Sequence, residues 1–146
     1  MKKAQSSIEA ALVITFMIFV MITFMGVMVK RMSETEYRQQ VLAIERVAGM
    51  IKREVELASR VEGGYSRNFT LPLTAGGLRY NVTLINSSSL GANYSELVVE
   101  ALETRQRVSA VEILPKNVSG EFCVGIDLFN HIQKVGGIIR VECGSK

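Results

Sequence analysis

From Ala10 to Val29 the chain runs for 20 residues without a charge. At about 1.5 Å per residue such a segment makes roughly 30 Å of helix, the thickness of a bilayer core. No other feature limits the fold so tightly. A helix that is apolar all round cannot be the outer layer of a soluble domain, so it must meet lipid or other apolar helices. An ordinary secretory signal has a shorter apolar region, about 7 to 15 residues, followed by a small-x-small cleavage site. Here the run leads into Val27-Met28-Val29-Lys30-Arg31, which has no such site. The segment is therefore expected to persist in the mature protein.

A second periodic segment follows. Tyr37, Val41, Ile44, Ala48, Ile51, Val55 and Ala58 step by alternating fours and threes, which draws one apolar seam along a helix. Glu45, Arg46, Lys52, Arg53, Glu56 and Arg60 fall mostly on the other side. No proline interrupts the chain before Pro72, and Gly63-Gly64 is a stop signal. The spacing predicts one helix from about Ser6 to Val61. Gly26 is its weak point, and a Ser33-x-x-Glu36 capping box is the alternative that would split it in two. The seam of the second half must pack on something, most simply on the residues that follow.

Those residues read as β. Leu78, Tyr80, Val82 and Leu84 alternate with Arg79, Asn81 and Thr83, a period of two. Segments 96–103 and 107–114 are further strand candidates around a polar turn at Thr104-Arg105. Asn130–Val135 and Ile138–Cys143, separated by Gly136-Gly137, read as a hairpin. The expected fold class is α+β: a long N-terminal α-helix packed against a C-terminal antiparallel β-sheet. The expected organisation along the chain is an apolar helix to residue 29, its amphipathic continuation over 30–62, and a β-domain over 63–146. That last segment holds eight Lys or Arg against seven acids, which leaves no nucleic-acid footprint.

Five of the six asparagines begin an Asn-x-Ser/Thr triplet: Asn68, Asn81, Asn86, Asn93 and Asn117. About one residue in eight is Ser or Thr, so chance gives roughly one such triplet. Asn and Thr are also frequent in turns and exposed strands, which is the plainer reading. The functional reading is a glycosylated surface outside the cytoplasm. All five lie after the apolar helix, which places that end outside and the N-terminus, with Lys2 and Lys3, inside. Cys123 and Cys143 lie 20 positions apart in the same segment. A bridge would contribute about 3 kcal/mol by loop entropy. A pair of buried free thiols is the alternative, and a zinc site with His131 lacks a fourth ligand of suitable spacing. Alternation puts Cys143 on the face of Ile139 and Val141, toward the core. One histidine, one aspartate (Asp127) and no nucleophile motif, phosphate loop or metal set give no basis for an enzyme or for a cofactor.

The N-terminal stretch "KKAQSSIE", followed at once by the apolar run, resembles the class III signal peptide of archaeal type IV pilin-like proteins. That pattern is basic residues, a small residue, then Gln-x-Ser-x-Glu leading into the helix. Lys2, Lys3, Ala4, Gln5, Ser7 and Glu9 fit it. The stretch "FTLPLTAGGLRYNVTLIN" and the closing glycine hairpin are similar to the β-domains of such pilins. The resemblance implies a leader of residues 1–4, cut between Ala4 and Gln5 by a membrane-embedded prepilin peptidase, so that the apolar helix starts at residue 5. It also implies an assembly ATPase, a membrane platform protein, and a filament of copies of this chain. In that filament Glu9 pairs with the new α-amine of a neighbour's Gln5. Before assembly the chain would sit in the cell membrane as a single pass; afterwards it would be part of a surface filament, with adhesion the usual role. A major or a minor pilin fits these features equally. The alternative from another class is a signal-anchored surface glycoprotein that binds a ligand and does not polymerise.

Overall fold

The computed structural model describes the backbone of residues 2–61, 64–102 and 107–145, and the side chains of these residues apart from 2–7 and 10. Two compact units divide it, Met1–Arg38 and Gln39–Lys146. The division falls inside a helix, α1, that spans Lys2–Arg60. Neither Gly26 nor the Ser33–Glu36 box interrupts it. The C-terminal part of α1 thus belongs to the same unit as the strands, as its apolar seam requires.

In the first unit the helix has no inward side. Every large apolar side chain from Ile8 to Met32 is between 46% and 69% exposed, so none is packed within the chain. The two hydroxyls in the uncharged run turn back on their own helix: Thr15 Oγ1 donates to the Ala11 carbonyl and Thr23 Oγ1 to the Phe19 carbonyl, both at 2.9 Å. Such back-bonding satisfies a donor that an apolar environment would leave stranded. By length and composition this helix can cross a membrane.

In the second unit Ile44, Ala48, Ile51, Val55 and Ala58 are fully buried and Val47 nearly so. The seam read from the sequence is therefore the inner face, with Val41 half-buried at its start and Tyr37 exposed beyond it. Seven strands follow: β1 Ser66–Phe69, β2 Tyr80–Ile85, β3 Ser95–Ala101, β4 Ser109–Leu114, β5 Val118–Gly120, β6 Leu128–Val135 and β7 Ile138–Ser145. A short helix, α2, covers Ser87–Leu90. They form two sheets rather than one. The first has the order β1-β6-β7-β5 and the second β2-β3-β4. All pairs are antiparallel except β5 with β7, which is parallel, so the expected α+β architecture holds, a long helix against a largely antiparallel β-domain whose strands are divided between two sheets. β1 and β5 are too short, at four and three residues, for their alternation to have shown in the sequence.

One core joins the helix to both sheets. Leu97, Val99, Ala110 and Leu114 come from the three-stranded sheet, and Val118, Ile132, Ile139 and Val141 from the four-stranded one. Each such valine, leucine or isoleucine contributes about 1.5–3 kcal/mol by burial. The β6–β7 hairpin turns at Gly136 and Gly137, both with positive φ (59° and 84°), the backbone a tight two-residue hairpin turn demands. Lys134, just before that turn, donates from Nζ to the Ser59 and Val61 carbonyls at 2.7 Å each. These are groups that the end of α1 leaves without intrahelical partners, so a cation there both caps the helix and suits its dipole.

Candidate functional site

The sequence points to three sets of residues: the N-terminal processing and assembly motif, the five sequons, and the cysteine pair. In the first set Glu9 is exposed on α1, one helical turn after Gln5 and directly before the apolar run. The side chains of Lys2, Lys3, Ala4, Gln5 and Ser7 lie outside the described residues, and with them the leader-cleavage site. Beyond Glu9 the apolar surface is not smooth. Phe16, Phe19, Val20, Thr23, Phe24 and Val27 line an open groove of about 390 Å³ along one side of the helix, with no polar surface. Their spacing by three, four and seven places them on one stripe, the pattern by which one helix receives the side chains of another.

Within the second unit the outer side of α1 carries a further apolar stripe. Leu42, Met50 and Leu57 are 44–50% exposed. Leu42 and Met50, with Gly49, Arg46 and Arg53, line a groove of about 460 Å³. The sequence seam did not contain these residues, because the stripe lies on the face opposite the core. The signal that would have found them is a second set of apolar positions in the same heptads.

The sequon asparagines all reach solvent. Asn68 (on β1), Asn81 (on β2), Asn93 and Asn117 are exposed, and Asn86, which precedes α2, is half-buried. Asn68 is hydrogen-bonded through Oδ1 to Nδ1 of His131, its cross-strand neighbour on β6. Lys116 Nζ donates to Asn93 Oδ1 at 3.1 Å. Asn117 holds a left-handed backbone (φ 68°) directly before β5, a conformation asparagine tolerates better than most residues. The sixth asparagine, Asn130, is the one outside a sequon, and it is completely buried. Its Oδ1 accepts from the Cys123 N–H at 2.8 Å and its Nδ2 donates to the Cys123 carbonyl at 3.0 Å. The asparagines thus separate: the five in sequons are exposed or half-buried, and Asn130 is buried and clamps a loop.

That loop is also tied covalently. Cys123 and Cys143 form a disulfide with Cα atoms 5.6 Å apart. This decides between the sequence alternatives, since bridged sulfurs are neither free thiols nor zinc ligands. The placement expected for Cys143 is corrected. It is exposed, and Cys123 is half-buried. The core face of β7 is covered at Ile139 and Val141 but runs out before residue 143. The bridge therefore staples the rim of the sheet rather than filling its centre. Among the described residues no group of three or more His, Cys, Asp or Glu side chains could hold a metal ion.

The Tyr80 phenol is a weaker acid than usual. Burial pushes its pKa up to about 12 from an ordinary 10.0. Its hydroxyl donates to the Pro72 carbonyl, which holds the 71–78 loop against β2. Both features are structural, and the described residues bring no acid–base pair to a cleft around them. Comparison with family models, with curated proteins and with solved structures finds no match to this chain.

Proposed function

We propose that the chain is a structural subunit, a pilin, of an archaeal type IV pilus-like surface filament. The observation that carries this reading is the N-terminal helix itself. From Ile8 to Met32 it exposes apolar side chains on every side, with Glu9 at its head. Such a surface needs an apolar environment, and copies of itself supply one outside the membrane. On this reading a prepilin peptidase cuts between Ala4 and Gln5. The chain waits in the membrane with its β-domain outside. An assembly ATPase and a platform protein then move it into a filament whose core is the bundled helices. Packing is driven by apolar burial at about 25 cal/mol per Å², set against the lipid contacts given up.

Glu9 has a definite role in this account. An unpaired carboxylate in an apolar core costs several kcal/mol, and a complementary charge offsets much of that. The amine freed at Gln5 of a neighbour is such a charge. Subunits in the wrong stagger would leave both groups unpaired, so the pair sets register. The exposed sequon asparagines would lie on the outside of the filament, where sugars add bulk and solubility.

The second reading, a membrane-anchored glycoprotein acting as a binding module, draws on the same helix, which is long and apolar enough to span a bilayer. One experiment separates them. Material sheared from the surface of native cells is imaged by electron microscopy, and its subunit is weighed intact. Fibres built of chains starting at Gln5 support the filament. A membrane-bound, unassembled protein starting at Met1 refutes it.

A further inference from the structure

The four sheet edges of the second unit are not alike. β1 carries the Asn68 sequon, β2 carries Asn81, and β5 begins directly after Asn117. The fourth edge, β4, carries none. A bulky glycan beside an edge strand blocks the pairing that unpaired backbone groups invite. Three edge strands thus carry or adjoin a sequon, and β4 carries none along its length.

The β4 edge is built to pair. The Ala101 N–H donates to the Val108 carbonyl at 2.9 Å. By the alternation of an antiparallel ladder, Ala110, Glu112 and Leu114 then direct their backbone groups to β3, while Ser109, Val111 and Ile113 direct theirs outward. Among the described residues no backbone hydrogen bond reaches those outward groups. The side chains on the same three residues face solvent: Val111 and Ile113 are 58% and 60% exposed. Val98 lies opposite Val111 on β3. A strand that is apolar on its solvent face and open along its edge is unusual in a protein that stays single.

We infer that β4 is an interface with a second copy of this chain, formed by antiparallel pairing of β4 with itself. The sequence of the strand selects this occupant. With the two-fold axis at Val111, the register places Val111 opposite Val111, Ser109 opposite Ile113, and Ala110 opposite Glu112. All outward backbone groups then meet outward groups, giving about six new hydrogen bonds. The charge on the strand does not oppose this pairing. Glu112 never faces its own copy in this register, and Lys52 Nζ already neutralises it at 2.7 Å. Shifting the axis to Glu112 would bring two carboxylates together. The contact is closed and isologous, so it adds two copies and no more. It does not need a filament; where filaments exist, it would join neighbouring ones side by side.

The test uses the full chain, made in cells lacking any assembly machinery and held in detergent micelles. V111C is oxidised mildly beside I113C. The register puts the two Val111 Cα atoms about 5.5 Å apart, within disulfide reach, and the two Ile113 Cα atoms beyond about 7 Å. V111C is expected to give several-fold more covalent dimer than I113C, and a mixture of S109C with I113C to cross-link heterologously. Sedimentation should show the unaltered chain as a dimer and V111K as a monomer with its near-ultraviolet dichroism intact. Equal cross-linking by V111C and I113C, or a V111K chain that remains dimeric, overturns the inference. Because no filament is present, either result leaves the pilin reading untouched.

Discussion

Asn130 and the disulfide hold the same short segment by different means, and their coupling can be measured. Asn130 lies opposite Cys143 in the β6–β7 ladder. Its side chain grips both backbone groups of Cys123, and the bridge joins Cys123 to Cys143. Replacing both cysteines by alanine releases a cross-link over 20 positions, worth about 3 kcal/mol. Asn130→Ala removes two hydrogen bonds of about 1 kcal/mol each, and more if the bridge keeps the Cys123 amide pinned where water replaces the lost partner poorly. With the bridge gone, the segment can peel away and solvate those groups. The triple replacement is therefore expected to cost at least about 1 kcal/mol less than the sum of its parts. The assay is urea unfolding of the full chain in detergent, followed by tyrosine near-ultraviolet dichroism. Three of the four tyrosines, Tyr65, Tyr80 and Tyr94, lie after α1. Additivity within about 0.5 kcal/mol would refute the claim that the two links restrain one segment.

Three other outcomes follow from the packing. Tyr80 holds its proton more tightly folded than unfolded, so the stability it contributes is complete below about pH 10 and is lost as pH rises toward 12; Tyr80→Phe should flatten the stability–pH curve across that window. Ile51→Ala, at a fully buried seam position, should cost about 2–5 kcal/mol in the same urea assay; a loss below 1 kcal/mol would mean the helix is not held by that face. Gly120 has φ 115°, and a Cβ there would overlap the Val141 carbonyl. Gly120→Ala should therefore break the β5–β7 pairing, seen as faster hydrogen exchange over 118–120 and 139–141; unchanged exchange would contradict it.

Much of this fold was legible because its signals are periodic and long. The seam from Ile44 to Ala58 repeats over four turns, and only a helix can bring those positions together. Tyr80 and Val82 alternate with Asn81 and Thr83 as a strand with one wet face must, and Gly136-Gly137 marked its hairpin by demanding positive φ. What was not legible depends on the third dimension. Two sheets share one helix, and no local pattern says where the first ends. β5 pairs in parallel with a strand some twenty residues later, through only three residues. Asn130 stands apart in the sequence only by lacking a sequon, and its burial shows only once β6 turns it inward. Cys143 follows the alternation of β7 faithfully, yet the core stops before it. Residues 103–106, where the turn between β3 and β4 was expected, lie outside the described residues, as do the side chains of the leader motif.

The central claim is that an exposed apolar helix headed by one carboxylate is made to be surrounded by its own copies. The most direct test is the amount of sheared surface fibre from cells whose only version of this chain carries Glu9→Gln. The account predicts that fibre falls to a small fraction of the unaltered amount while chains cleaved at Gln5 accumulate in the membrane. Fibre at the unaltered level would contradict it.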